Sequence, residues 1–259
     1  MSKTLNLVDG LLSKARQLQE LGRPQDSLPI LRRLCRFPDL SQSTQAELHH
    51  LLGEAYFELS QWRLARKHLR QTLRLEPENC NAHHLLALTI ESDAECDSRL
   101  ASRHHRRALE LSPDSPDFLA AAGSYFVEVG QVRKGIDLLR RAWELAPDQF
   151  DILKSLVEGY CEAEQFDDAR RTLNAARFRI GGDARIPTLA ANLELQELRH
   201  RQRNLKPVIT IHRDDEPVIL PFVVGAVGTP RPVRAHRRDG ARAHMQRPHL
   251  LRRYDAEQA

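Results

Sequence analysis

Along most of this chain, apolar and polar positions alternate in a way that predicts paired amphipathic helices. From Ala46 to Asn79 the chain reads AELHHLLGEAYFELSQWRLARKHLRQTLRLEPEN, with Leu52-Gly53, Tyr56, Trp62, Ala65, Leu69 and Pro77 at set intervals. The frame returns from Pro116 to Gln149 as Ala122-Gly123, Phe126, Gly130, Val132, Gly135, Leu139, Ala142 and Pro147. It returns again from Phe150 to Asp183 as Leu156-Val157, Tyr160, Phe166, Ala169, Leu173 and Ala176, with Gly181 in place of the proline. Small residues such as Gly53 and Ala65 let two helices approach closely, and Tyr56, Trp62 and Leu69 fill the space between them. Each proline stops the second helix, because it has no N–H and clashes with the preceding turn.

Two further copies carry the frame less regularly. Residues 80–115 keep Leu86-Ala87, Ala101, Ala108 and Pro113, but two residues are inserted near the turn. Residues 8–41 keep Ala15, Leu18, Gly22, Ser27 and Leu31, with Pro38 one place early and Leu34 where a small residue is expected. Five units thus cover residues 8–41, 46–79, 80–115, 116–149 and 150–183. No unit can bury its apolar face alone, so stability must come from stacking neighbours. Val157, in the place of Gly53, should loosen the helix approach in the last unit. Residues 184–204 read as a capping helix, with Pro187 suited to a first turn and Leu189, Leu193, Leu195 and Leu198 on a helical spacing.

The 34-residue unit resembles the tetratricopeptide repeat, which implies an all-α fold: a right-handed superhelical solenoid of about five helix pairs plus the capping helix. Beyond Asn204 the repeat ends. Residues 205–259 read as a Pro/Arg/His-rich, largely disordered basic tail, with a short hairpin at 208–224.

Charge sharpens that division. Residues 1–204 carry 29 Lys+Arg against 29 Asp+Glu and the remainder 10 against 6, so the formal excess of +4 lies wholly in the tail. Between Thr229 and Tyr254, Arg231, Arg234, Arg237, Arg238, Arg242, Arg247, Arg252 and Arg253 face only Asp239. Cys35, Cys80, Cys96 and Cys161 stand singly and read as reduced small hydrophobes. The start of the chain lacks a signal-peptide pattern, and the longest apolar stretch, Val218 to Gly228, is too short to span a bilayer, so a cytoplasmic location is expected.

The resemblance also implies a concave groove lined by the first helix of each unit at its fifth, ninth, twelfth and thirteenth places. The thirteenth place is Glu20, Glu58, Ser92, Glu128 and Glu162; the ninth adds Glu54 and Glu158, opposed by Arg16; the fifth adds His50, His84 and Lys154. Carboxylates near helix C-termini run against the helix dipole, and a column of them points to a compensating use. The expected function is a non-catalytic adaptor or scaffold whose groove takes a basic or amphipathic peptide or helix of a partner protein. Opposite charge also suggests that the Arg-rich tail folds back onto the groove.

On the second helices Arg32-Arg33, Arg70, Arg106-Arg107 and Arg140-Arg141 stack as a basic convex stripe. The alternative function is therefore a nucleic-acid or ribosome-associated protein held by the tail and this stripe. The doublets His49-His50, His83-His84 and His104-His105 have no third ligand fixed by spacing, so they read as groove-lining or surface residues rather than a metal site. Nucleotide-binding, hydrolase and zinc-protease motifs are absent, and neither cofactor nor catalysis is expected.

Overall fold

The structure, a computed structural model, describes residues 2–37, 40–204, 209–210 and 218–219. The chain divides into two units, Met1–Glu197 and Leu198–Ala259. The first is all helical. Its helices are α1 (Ser2–Glu20), α2 (Pro24–Leu34), α3 (Gln42–Glu58), α4 (Trp62–Leu75), α5 (Cys80–Ser92), α6 (Ala101–Leu111), α7 (Pro116–Glu128), α8 (Val132–Leu145), α9 (Phe150–Glu162) and α10 (Phe166–Ile180), followed by α11 (Arg185–Asn204), which crosses the division. In the second unit, β1 (Ile209–Thr210) pairs antiparallel with β2 (Val218–Ile219), Ile209 opposite Ile219. The eight tail arginines and the rest of the expected hairpin lie outside the described residues.

Each helix from α1 to α10 packs on its neighbours in sequence and Ile186, Leu189 and Leu193 of α11 join the last cluster, so the core runs along the stack as successive clusters. The frame residues make it: Leu31, Leu52, Leu69, Leu86, Leu139 and Leu156 are all at most 1% exposed. The glycines mark where backbones meet. A Cβ built on Gly53 would lie 2.7 Å from Leu69 Cγ, and one built on Gly135 would lie 2.6 Å from the carbonyl oxygen of Gly123. Those pairs, α3 with α4 and α7 with α8, are the most intimate of the stack, whereas α9 and α10, with Val157 buried between them, meet far more sparsely.

The turn inside a unit is equally regular. Its fifteenth residue is left-handed in four units, with φ of 67° at Gly22, 56° at Ser60, 83° at Gly130 and 59° at Glu164. The third unit uses its two extra residues instead: Asp93 accepts from the Glu95 backbone N–H, and a 3₁₀ turn at Ser98–Leu100 leads into α6. Asp93 is buried there and pairs with Arg66 of α4. In α11 the buried residues are Ile186, Leu189 and Leu193, while Leu195 and Leu198 are 46% and 51% exposed. The expected apolar face thus begins earlier and ends at Leu193, because the 3.6-residue period carries the last two leucines away from the stack.

Candidate functional site

The first helices carry the predicted groove residues, and the structure gathers the carboxylates into two groups. The first lies between α1 and α3. Glu20 ends α1 and is exposed, and Glu54 and Glu58 follow one another a turn apart on α3. Burial raises the pKa of Glu54 above the usual carboxylate range, the charge of Glu20 adds to the shift, and Arg16 opposes it. Glu58 is pushed up to about 7, by burial first and Glu54 second. Glu58 is therefore partly protonated at neutral pH, and a cation placed beside it would favour loss of that proton. Arg16 is itself held by Glu47, which ties α1 to α3.

The second group lies between α7 and α9. An open hollow of about 520 Å³ is lined by Glu128, Glu158 and Glu162, with Ser124, Val127, Ser155 and Gly159, and bordered by Gln196 of α11. Lys154 sits 3.9 Å from Glu158 one turn along α9. Burial raises the Glu158 pKa, Lys154 pulls it down, and Glu162 pushes it up. The adjacent Cys161 thiol is raised to about 11 by burial and these two carboxylates. The sequence frame places the glutamates but passes over the small residues Ser124, Ser155 and Gly159, whose lack of bulk is what opens the hollow.

Between the two groups the thirteenth place is Ser92, exposed at the end of α5. The fifth-place histidines are not open groove residues. His50 and His84 bury their Nδ1 atoms without a hydrogen-bond partner. The His84 ring packs 4.7 Å from that of Phe118, and its pKa is held down to about 4 by burial, with His105 second. Burial also lowers His50, against the pull of Glu76 and Glu47. Both imidazoles are thus neutral at pH 7 and serve the packing between units.

The other members of the histidine doublets pair across helices. His49 of α3 and His68 of α4 bring their Nδ1 atoms to 3.1 Å, and His83 of α5 and His104 of α6 repeat the contact at 3.0 Å. The separations of 19 and 21 residues differ by the two-residue insertion, which is the signal that registers the two pairs as equivalent. His105 is buried against Glu91 and the Tyr125 ring. Among the described residues, no group of three or more His, Cys, Asp or Glu side chains could hold a metal.

The convex stripe expected across the second helices is largely neutralised. Arg106 and Arg107 pair with Glu110, Arg107 also with Glu78, and Arg141 with Asp114. Two of its members do a different job. Arg32 donates to the hydroxyl of Tyr56 at 3.0 Å, and Arg140 to that of Tyr160 at 3.5 Å. Both arginines hold the twenty-fifth place of their unit and both tyrosines the eleventh of the next, so these bonds tether neighbouring units. The sequence gives each residue its place but not this contact, which only the stacking creates.

Comparisons with known proteins agree with this architecture. Two family models described as tetratricopeptide repeat match residues 46–79 and 126–193. A stretch of 98 residues is 37% identical to Protein O-mannosyl-transferase Tmtc1 of Drosophila melanogaster; it takes in 37% of this chain and spans only 11% of that relative's length. Among solved structures, the thermophilic TPR protein TTC0263 of Thermus thermophilus superposes with a TM-score of 0.57 at 18% identity, over 73% of this chain and 99% of that one. MamA of Desulfovibrio magneticus RS-1 gives 0.56 at 15% identity, over 67% and 94%. YrrB, a TPR protein with an unusual peptide-binding site, gives 0.54 at 17% identity, over 70% and 90%. At these identities the likeness speaks for the fold. With the 34-residue frame, the paired helices and the matched segments in agreement, residues 46–79 and 126–193 carry tetratricopeptide repeats within a helical stack of the tetratricopeptide fold.

Proposed function

We propose that this chain is a non-catalytic adaptor that takes a basic or amphipathic segment of a partner protein along its first helices. The observation that carries the reading is the clustering of Glu20, Glu54 and Glu58 at one end and Glu128, Glu158 and Glu162 at the other, with Glu54, Glu58 and Glu158 partly removed from water. Carboxylates held in a reduced-dielectric setting gain more from a cationic partner than fully solvated ones do. The helix-in-groove mode needs apolar anchors beside the charge, and Val127 supplies one in the α7–α9 hollow. Two groups that could carry chemistry are engaged: Cys161 is held protonated, and His105 is buried against Glu91. No helix among the described residues is long and apolar enough to cross a membrane. We place the adaptor in the cytoplasm.

Fluorescence anisotropy with a labelled Arg/Lys-rich peptide of about 15 residues tests this on the full chain. Glu54→Gln with Glu58→Gln, and separately Glu158→Gln with Glu162→Gln, should each weaken binding roughly tenfold at low salt. Because a cation displaces the proton on Glu58, affinity for the peptide should rise between pH 6 and pH 8. Unchanged affinity in both double variants would remove the groove from consideration.

A further inference from the structure

The outer face of α4 differs from every other second helix. It carries Arg63, Arg66, Lys67, Arg70 and Arg74 and no acidic residue, whereas α2 has Asp26, α6 has Glu110, α8 has Asp137 and Glu144, and α10 has Asp167 and Asp168. Arg66 is spent on the buried Asp93. The remaining four stand at steps of four, three and four residues, which aligns them on one face over about 16 Å of helix. Among the described residues none of the four forms an ion pair, and the one side-chain bond in the row is from Arg74 to Gln71 at 3.0 Å.

Arg70 shows why the row is free. It holds the twenty-fifth place of its unit, the place from which Arg32 and Arg140 reach a tyrosine of the next unit. The eleventh place of the third unit is Ile90, which has no hydroxyl to accept such a bond. The row borders an open hollow of about 820 Å³, which His49 and His68 also line. These two imidazoles meet at 3.1 Å, and the Tyr56 ring stacks on His68. Burial lowers both pKa values; His49, Lys67 and Arg32 lower that of His68 further, to about 4. The histidines are therefore neutral at pH 7 inside a positive field.

We propose that this face of α4 binds the phosphate backbone of a nucleic-acid strand, with Arg63, Lys67, Arg70 and Arg74 each meeting a phosphate. Counterion release makes such a row effective without base reading, and guanidinium groups suit phosphate oxygens. An acidic protein helix is the weaker fit. That mode needs apolar anchors among the charges, and the hollow offers only Leu64, 37% exposed. The site lies on the second helices and stands or falls independently of the groove.

The test uses a labelled twelve-nucleotide single strand and the full chain in which the eight tail arginines are replaced by glutamine, so that α4 is read by itself. The variant Arg63→Gln/Lys67→Gln/Arg70→Gln/Arg74→Gln should weaken binding at least tenfold at 50 mM salt. It should also lower the slope of log affinity against log salt by roughly 3, at about 0.7 per phosphate contact. Arg140→Gln/Arg141→Gln, which removes cations already engaged by Tyr160 and Asp114, should leave both quantities unchanged. In the unsubstituted row, strand binding should move the NMR titration of His68 to higher pH. The same affinity and slope in the fourfold variant would overturn the proposal. So would competition by a twelve-residue oligoglutamate equal to that by unlabelled strand, which would assign the row to an acidic protein.

Discussion

The second and fifth units follow one 34-residue frame and reach different balances of packing and charge. In the second, Gly53 lets α4 come close enough for Leu69 to lie against the α3 backbone. In the fifth, Val157 fills that place and α9 and α10 stand further apart. Close approach in the second unit goes with desolvation: Glu58 titrates at about 7 and His68 at about 4. The fifth has no histidine; burial raises its Glu158 as well, against the pull of Lys154, while Glu162 is exposed.

Exchanging the crossing residues is the most severe way to break this contrast. Gly53→Val drives a branched side chain into Leu69 and should cost about 2–4 kcal/mol, read as a lower urea midpoint. The looser fifth unit has less to lose, and Val157→Ala should cost about 1–1.5 kcal/mol in the same measurement. Protonation separates the units next. The unfolded His68 takes a proton near 6.5 and the folded one only near 4, so its contribution is complete above 6.5 and is lost as pH falls through that window. His68→Asn should recover about 1 kcal/mol at pH 5 relative to its effect at pH 7.5.

Glu58 works in the opposite direction. Below its ordinary value of 4.5 both states hold the proton; between 4.5 and about 7 only the folded chain does, so stability declines as pH rises through that range. Glu58→Gln should therefore stabilise by about 1 kcal/mol at pH 8 and have no effect at pH 4, by thermal unfolding at the two values. The smallest difference lies in the caps. Ser41 caps α3 by accepting from the Thr44 N–H at 3.1 Å, while Gln149 before α9 makes no side-chain cap bond. Gln149→Asn should raise the stability of the fifth unit by about 0.5 kcal/mol.

The helix pairs, their order and the crossing residues were readable in the sequence because each rests on local periodicity and side-chain volume. Leu195 and Leu198 misled, since a leucine spacing does not say where the neighbouring helix ends. The groove glutamates were readable as places on a frame; their protonation was not, because Glu58 reaches about 7 only through burial and a neighbour on its own helix. The convex stripe failed for a related reason. Its arginines were counted by place, yet Arg32 and Arg140 are committed to tyrosines of the next unit and Arg141 to Asp114. Hence the longest row of unpaired cations runs along α4 instead of across four second helices. The histidine doublets looked like neighbours on one helix, whereas the contacts that matter join His49 to His68 and His83 to His104.

Ser92 interrupts the glutamate column in the middle of the stack, and the interruption bears on valency. Under the proposed function, two acidic groups separated by a unit whose thirteenth place is uncharged would form two weak sites on one scaffold. A ligand with a single basic cluster would exchange between them, each encounter counting once. A ligand with two basic clusters joined by a neutral spacer of the right span would meet the second site at an effective concentration set by that spacer. Its avidity would exceed either single affinity without any new contact. Selectivity would then reside in the length of the spacer more than in the identity of the charges.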